Sequence, residues 1–263
     1  MKYITMLFLL STLLFSKVYY SKVEPYELRD ISSNVSGLVL FIDEDMIGKT
    51  LSSKPYIKID SELDNKELKY IKEKLIYLKN TVNANEDILK NLEKLLDKKQ
   101  ENYEKIKSLK IKSTVEKDRE FYDLIGSENQ YLNTMKEINN LKIQISDLKL
   151  REAQLKRSVN DKNLNAKGFT LYSISVKVGQ VVGISTPLAQ VADISKAKLT
   201  IYLDEEDLLG VKDKKVYLNG VESKYKISRV LNIADSKNIS KYMAQIIIKS
   251  PKNFSKLVQV ELK

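Results

Sequence analysis

The stretch VKVGQVVGISTPLAQVAD, residues 176–193, alternates apolar and polar side chains around two glycines, Gly179 and Gly183. Alternation with a period of two indicates β-strands, and glycine between such runs indicates tight turns. So few short strands do not cover one face of a sheet by themselves. The sequence therefore predicts that the partner strands of this stretch lie elsewhere in the chain.

The composition of the 263-residue chain excludes several classes of chemistry. There is no Cys and no His, which rules out disulfides, a thiol nucleophile, a catalytic histidine and the usual zinc and iron ligand sets. The formal net charge is +10, but only five of the basic residues are Arg. Because nucleic-acid readers rely on arginine forks, the charge indicates a generally basic surface and no nucleic-acid partner.

The N-terminus has the pattern of a targeting segment. Lys2 precedes the apolar run ITMLFLLSTLLF, residues 4–15. That run is short for a membrane span of about 20 residues, but it fits an export signal. Cleavage is predicted near Ser16 or Ser21, and neither site has small residues at both expected positions, so an uncleaved anchor stays open. Residues 1–21 are assigned to this signal peptide or anchor, and either form places the body outside the cytoplasm.

A continuous helix-forming composition extends from residue 61 to residue 162, without Pro and with Gly126 as the single Gly. Within it, apolar side chains recur at steps of three and four in two series, the first broken at Asn85 and Lys99 and the second at Glu128 and Glu152. The first series is Leu68, Ile71, Leu75, Leu78, Val82, Leu89, Leu92, Leu96, Tyr103 and Ile106. The second is Phe121, Leu124, Tyr131, Met135, Ile138, Leu141, Ile145, Leu148, Leu155 and Val159. Such seams with charged flanks predict a coiled coil in which each series covers the other.

The segment SLKIKSTVEKD, residues 108–118, separates the two series. Ser113 and Glu116 form the S-x-x-E pattern of a capping box, which marks the start of a new helix. The two arms, about residues 64–109 and 114–159, are nearly equal in length. The sequence therefore predicts an antiparallel hairpin, about 70 Å long at 1.5 Å per residue.

Strand-like segments flank the hairpin on both sides. GLVLFIDEDMIGKTL, residues 37–51, precedes it and GFTLYSISVKVGQVVGISTPL, residues 168–188, follows it. We interpret residues 30–60 and 163–195 as two halves of one small β domain, which the hairpin splits at little topological cost because its ends are adjacent. Residues 196–263 contain some five further strands, with a tight turn at Asn219-Gly220, and predict a small β-barrel.

This order of segments resembles the periplasmic adaptor family, also called membrane fusion proteins of the HlyD type. The matching residues are 35–39, 47–51 and 57–60 in the first half, and 166–168, 178–182 and 187–193 in the second. The resemblance implies an α+β multidomain fold. In it, a split lipoyl-like (barrel-sandwich hybrid) β domain carries an inserted long antiparallel coiled-coil α-hairpin and is followed by a small β-barrel.

The resemblance also implies a function. It implies a non-enzymatic adaptor without cofactor or metal, which links an inner-membrane transporter of ABC or RND type to a TolC-type outer-membrane channel. It implies a homo-oligomeric ring in the periplasm, associated with the inner membrane, that serves efflux or secretion and contacts the transporter through the barrel. Because only residues 23–29 precede the first half, the expectation is a short adaptor.

The resemblance places the channel-docking site at the hairpin tip. The candidate residues are Ile106, Leu109, Ser113, Glu116 and Asp118. Asn102 departs from the family, which typically has Arg at that position. Ser113 is equally well explained as a helix cap without a docking role, and both interpretations stay open.

Other features have simpler explanations or lead to an alternative. The acidic clusters at residues 43–45 and 204–207 are interpreted as a solvated turn and as a helix start capped by Asp204, because neither has the spacing of a calcium-binding loop. The connection between the β halves is the coiled coil, so no lysine is placed to carry a lipoyl group.

An extracytoplasmic coiled-coil scaffold or adhesin without a transport role is the alternative function.

Overall fold

The computed structural model describes residues 17–235, 238 and 240–263. The chain is an α+β protein that divides into two compact units. One, the β unit, contains the described residues up to Ser33 together with Phe41–Ile57 and Asn165–Lys263. The other, the hairpin unit, contains Asn34–Leu40 and Lys58–Leu164. The helical segment is thus inserted into a β domain, which confirms the predicted fold class.

The elements follow one another in this order along the chain. The strands before the helices are β1 (Val18–Lys22), β2 (Glu24–Ser32), β3 (Gly37–Ile42) and β4 (Ile57–Ile59). The helices are α1 (Glu62–Ser108) and α2 (Thr114–Asp161). The strands after them are β5 (Asn163–Leu164), β6 (Thr170–Ile174), β7 (Val181–Val182), β8 (Pro187–Leu203), β9 (Val216–Leu218), β10 (Val221–Glu222), β11 (Ile227–Ala234), β12 (Tyr242–Lys249) and β13 (Leu257–Leu262). Short 3₁₀ turns occupy Glu44–Met46 and Glu205–Asp207.

The hairpin unit is built on the seam between α1 and α2. The buried seam residues are Ile71, Leu75, Val82, Ile138, Leu141, Ile145 and Leu155. They come from both predicted series, so the apolar side chains of one helix cover those of the other. A helix of 47 residues such as α1 is about 70 Å long. No helix among the described residues combines the length and the apolar character that crossing a bilayer requires.

A small sheet with the order β5-β4-β3 closes the base of the hairpin unit. The backbone N–H of Asp60 donates to the carbonyl of Leu38 at 2.8 Å, and the N–H of Ile59 donates to the carbonyl of Lys162 at 2.8 Å. Lys162 also forms an ion pair with Asp64 in the first turn of α1. These contacts hold the start of one helix beside the end of the other.

The β unit contains two antiparallel sheets and a hydrophobic core between strands of both. The first has the order β1-β13-β9-β10, and the second has the order β11-β12-β8-β2, with β6 also paired to β8. The fully or nearly buried core residues are Val23, Ala197, Leu199, Ile201, Leu203, Val211, Val216, Ile227, Ala244, Ile246, Val260 and Leu262. Strand β8 runs unbroken across residues 195 and 196, where the sequence places a boundary between the second β half and the barrel.

The two halves of the split domain are joined by backbone hydrogen bonds inside the β unit. The N–H of Gly48 donates to Leu171 at 2.8 Å, and the N–H of Leu171 donates back to Lys49 at 3.1 Å. Within the opening stretch, Ala189–Asp193 of β8 pair in register with Glu27–Ile31 of β2, and Pro187 pairs with Ser32 after a register shift. Sequence analysis placed the partner strands of this stretch at residues 37–51 and 56–60 and missed β2.

The N-terminal assignment needs a correction at its C-terminal end. Residues 1–16 lie outside the described part of the chain, but Val18–Lys22 form β1 and pair with β13 over five residues. Ser21 is 3% exposed, and its hydroxyl accepts a hydrogen bond from the N–H of Thr200 at 2.8 Å. Residues 18–21 therefore belong to the folded body, although their apolar composition continues that of the preceding segment.

The acidic cluster at residues 204–207 also differs from its prediction. Asp204 precedes the short 3₁₀ turn Glu205–Asp207, but its side chain makes no capping hydrogen bond. Its carboxylate lies 3.0 Å from the amine of Lys241 and 3.6 Å from that of Lys17. The side chain of Asp204 therefore pairs with lysines that are distant in the sequence and does not cap the turn.

Candidate functional site

The hairpin tip consists of the last turn of α1, the connection at residues 109–113 and the first turn of α2. Helix α1 ends because Leu109 leaves the helical conformation, with φ −77° and ψ 122°. The N–H of Leu109 donates to the carbonyl of Ile106 at 3.1 Å, and the hydroxyl of Ser108 donates to Lys105 at 2.7 Å. These two hydrogen bonds satisfy some of the last carbonyls of α1, although no glycine follows the helix to end it.

The capping box at the start of α2 is present in full. The hydroxyl oxygen of Ser113 accepts from the N–H of Glu116 at 3.3 Å, and the carboxylate of Glu116 accepts from the N–H of Ser113 at 3.0 Å. The Ser113 hydroxyl also donates to the same carboxylate at 3.0 Å. This reciprocal bonding fixes the residue at which α2 begins, as the S-x-x-E pattern predicts.

The charge of Glu116 is stabilised by its neighbours. The amine of Lys112 donates to its carboxylate at 2.9 Å, and the N–H and hydroxyl of Ser113 donate to the other oxygen. Together these bonds lower the pKa of Glu116 from its ordinary value to about 2. At neutral pH the carboxylate of Glu116 is therefore charged.

The tip exposes apolar side chains that no helix covers. Ile111 is 89% exposed and Val115 is 78% exposed, whereas Ile106 is half-buried and Leu109 lies between these extremes. Four lysines surround them in the sequence, at positions 107, 110, 112 and 117. Exposed aliphatic side chains with lysines next to them in the sequence suit contact with a protein surface that is apolar and carries some negative charge.

The structure brings together only some of the predicted tip residues. Ser113 and Glu116 bond each other directly, and Ile106 and Leu109 are joined through their backbones. Asp118 is exposed on α2, beyond the capping box. Ile111 and Val115 were missed, because they stand outside both seams and carry no motif. The available signal was their position, since each lies within two residues of Ser113.

An aromatic contact lies beneath the tip. The rings of Tyr103 on α1 and Phe121 on α2 are 5.6 Å apart between centroids, at an interplanar angle of 46°. The amine of Lys107 lies 5.6 Å from the centre of the Tyr103 ring. The contact between the two rings joins α1 to α2 close to their turn, and the Lys107 amine packs over the Tyr103 ring within α1.

The remaining candidate clusters lack the geometry of a metal site. Among the described residues, no group of three or more potential ligands is placed to hold a metal ion. The carboxylates of Asp204, Glu206 and Asp207 are directed instead at the amine of Lys17.

No protein-family model matches the chain, and no curated protein matches it. Solved structures do match. MacA from Actinobacillus actinomycetemcomitans has a TM-score of 0.67 at 19% identity, over 94% of this chain and 78% of that chain. A putative efflux transporter from Bacteroides eggerthii DSM 20697 has a TM-score of 0.59 at 14% identity, over 94% of this chain and 68% of that chain.

The membrane fusion protein Spr0693 from Streptococcus pneumoniae R6 has a TM-score of 0.53 at 11% identity. That match covers 94% of this chain and 99% of that chain. At these identities the likeness shows the fold alone. The chain therefore has the fold of membrane fusion proteins.

Proposed function

We propose that this chain is a periplasmic adaptor, or membrane fusion, subunit of the HlyD type. In this role it links an inner-membrane transporter of ABC or RND type to a TolC-type outer-membrane channel, for efflux or secretion. It has no catalytic activity of its own in this proposal and needs no cofactor. Its domains are an N-terminal targeting segment, two β halves at 30–60 and 163–195, the hairpin at 61–162 and the barrel at 196–263.

The observation that supports this proposal most strongly is the insertion of a long helical hairpin between two β segments that are joined to each other. The hydrogen bonds between Gly48, Lys49 and Leu171 join the two β halves within one compact unit. Helices of 47 and 48 residues make this hairpin about 70 Å long, which suits a protein that bridges a distance.

The proposed mechanism is geometric. Copies of the chain form a ring, their hairpins line a passage, and the tips contact the channel. The seam between α1 and α2 keeps each hairpin straight, and the capping box of Ser113 and Glu116 fixes where the tip residues project. The energy for export comes from the transporter.

Two substitutions at the tip test the docking role. Ile106→Asp and Ser113→Arg are expected to abolish export and to leave both helices folded, apart from fraying of the first turn of α2 where Ser113→Arg removes its cap. Matched controls are Ile143→Asp and Ser146→Arg, which make the same chemical changes at exposed positions in the middle of α2. Export at the wild-type rate by both tip variants, or equal loss in the controls, contradicts the assignment of the tip.

Cross-linking in the native envelope, followed by identification of co-purified membrane proteins, tests the partners. Recovery of an inner-membrane transporter and an outer-membrane channel is the expected result. Recovery of neither protein supports the alternative of an extracytoplasmic coiled-coil scaffold or adhesin. The sizes of the cross-linked oligomers of the chain test the proposed homo-oligomeric ring.

A further inference from the structure

The second sheet of the β unit carries a cavity of about 520 Å³ on the face that points away from the hydrophobic core. All four strands in the order of this sheet contribute to it. Its lining includes Tyr26 and Glu27 of β2, Lys198 of β8, Arg229 of β11, and Gln245 and Ile247 of β12. The volume lies in the range of small-molecule sites, about 300–1,000 Å³.

The alternation of the strands places these side chains on one face. Lys198 stands between Ala197 and Leu199 on β8, and both of these neighbours are fully buried in the core. Because successive side chains of a strand point to opposite faces, Lys198 points away from the core. Gln245 and Ile247 alternate with fully buried residues of β12 in the same way.

The register of the strands brings the two cations of the cavity within reach of one ligand. Arg229 pairs with Gln245, and Lys198 pairs with Ile247 two residues further along β12. The Cα atoms of Arg229 and Lys198 are therefore separated by two strand spacings and two residues, which is about 12 Å. Side chains as long as those of arginine and lysine cover this distance from its two ends.

The positive charge of the cavity is not neutralised by its surroundings. Neither Lys198 nor Arg229 forms an ion pair with another residue of the described part of the chain. The carboxylate of Glu27 is held by Arg29 through two hydrogen bonds of 2.7 and 2.8 Å. Glu24 stands opposite Lys198 on β2, but these two side chains form no ion pair either.

Two further lysines add positive charge at one end of the same face. Lys196 and Lys249 are direct partners across β8 and β12, and both are exposed. Like charges directly opposite each other destabilise a sheet. The amine of Lys196 lies 5.8 Å from the centre of the Tyr26 ring, which lines the cavity. A bound anion offsets the repulsion among these cations.

We propose that this cavity binds a small organic anion that joins a carboxylate to an apolar body. The guanidinium of Arg229 matches the planar carboxylate with two parallel N–H donors, and Lys198 supplies the second charge. Ile247 and the ring of Tyr26 offer apolar surface to the rest of the ligand. The site belongs to the β unit alone, so the inference does not depend on the proposed docking role of the hairpin tip.

The probe for a first test is 2-naphthoate, because it joins one carboxylate to an apolar ring system. It is titrated into the full chain in mild detergent by isothermal calorimetry, with the detergent alone as the blank. Saturable binding at one site is expected. The uncharged analogue 2-naphthalenemethanol is expected to bind about ten-fold more weakly, since it loses the charge-assisted hydrogen bonds. Absence of saturable binding, or equal binding of the two compounds, overturns the proposal without any substitution.

Substitutions then locate the site. Arg229→Gln and Lys198→Gln are each expected to weaken the binding of 2-naphthoate about ten-fold and to leave that of the alcohol nearly unchanged. The matched control is Lys94→Gln, which removes one exposed positive charge from α1 and is expected to keep the wild-type affinity. Circular dichroism checks that the variants are folded. Wild-type affinity in both cavity variants, or an equal loss in Lys94→Gln, overturns the assignment. Binding of this probe requires neither transporter nor channel, so its failure is distinguishable from a failure of the proposed export function.

Discussion

Replacing Ser21 with alanine tests whether β1 belongs to the folded body. The Ser21 hydroxyl is almost fully buried and is the acceptor for the backbone N–H of Thr200 on β8, at 2.8 Å. It also donates to the carbonyl of Lys22 at 3.2 Å. Alanine removes the acceptor and adds nothing that replaces it, so the N–H of Thr200 is left without a partner inside the protein.

The expected cost follows from this lost bond. Leaving a buried donor unsatisfied costs about 1–3 kcal/mol in the free energy of unfolding, and the lower part of this range applies because Thr200 is only partly buried. The free energy is measured by urea denaturation of the full chain in mild detergent, with circular dichroism as the signal. A parallel hydrogen-exchange experiment is expected to show faster exchange at Thr200.

The control is Ser228→Ala on β11, in the sheet that contains Thr200. The Ser228 hydroxyl donates to the carbonyl of Gln245 at 2.8 Å, but it does so at an exposed position where water replaces it. A change within about 0.5 kcal/mol is expected for such a surface substitution. If Ser21→Ala is as stable as Ser228→Ala, and exchange at Thr200 is unchanged, then β1 is not part of the folded body in solution and the reasoning fails.

Two further predictions concern the hairpin. Leu141 lies in the seam and is 6% exposed, so Leu141→Ala is expected to destabilise the helices by about 2–5 kcal/mol. Ile143 is 60% exposed on the same helix, so Ile143→Ala is expected to change stability little. Thermal unfolding followed by the helical circular dichroism signal compares the two variants. The pKa of Glu116 is lowered to about 2, chiefly by the amine of Lys112 and then by Ser113, from an ordinary value of 4.5. A depressed folded-state pKa means that the contribution to stability is present above pH 4.5 and is lost as the pH falls towards 2. Carboxyl NMR is expected to find this low midpoint in the wild type and a more normal one in Lys112→Met; equal midpoints contradict the assigned cause.

The hairpin could be predicted from the sequence because each of its signals lies within a few neighbouring residues. Each seam depends on residues three and four apart, and the capping box depends on Ser113 and Glu116 alone. The turn at Asn219-Gly220 is equally local, and both residues adopt the positive φ that a tight hairpin turn requires, 51° and 81°. The helices accordingly begin and end within a few residues of their predicted bounds.

The candidate site was readable only in part. The bond between Ser113 and Glu116 is encoded by their spacing, and the structure contains it. The exposure of Ile111 and Val115 is not encoded in the same way, because a sequence shows that a residue is apolar but not whether another element covers it. Ile111 lies in the connection between the helices and Val115 in the first turn of α2, where no apolar periodicity indicates a face.

By itself the sequence determined the helical hairpin, its turn and the insertion of that hairpin between two β segments, because these follow from periodicity and from bonds between near neighbours. Only the tertiary structure decided that β1 pairs with β13 and that β2 pairs with β8. The hydrogen bonds of a sheet join residues at opposite ends of the chain, such as Val18 and Glu261, and any alternating segment satisfies them locally. The choice among such partners is made by the shared core, in which Val23, Leu199 and Val260 pack together.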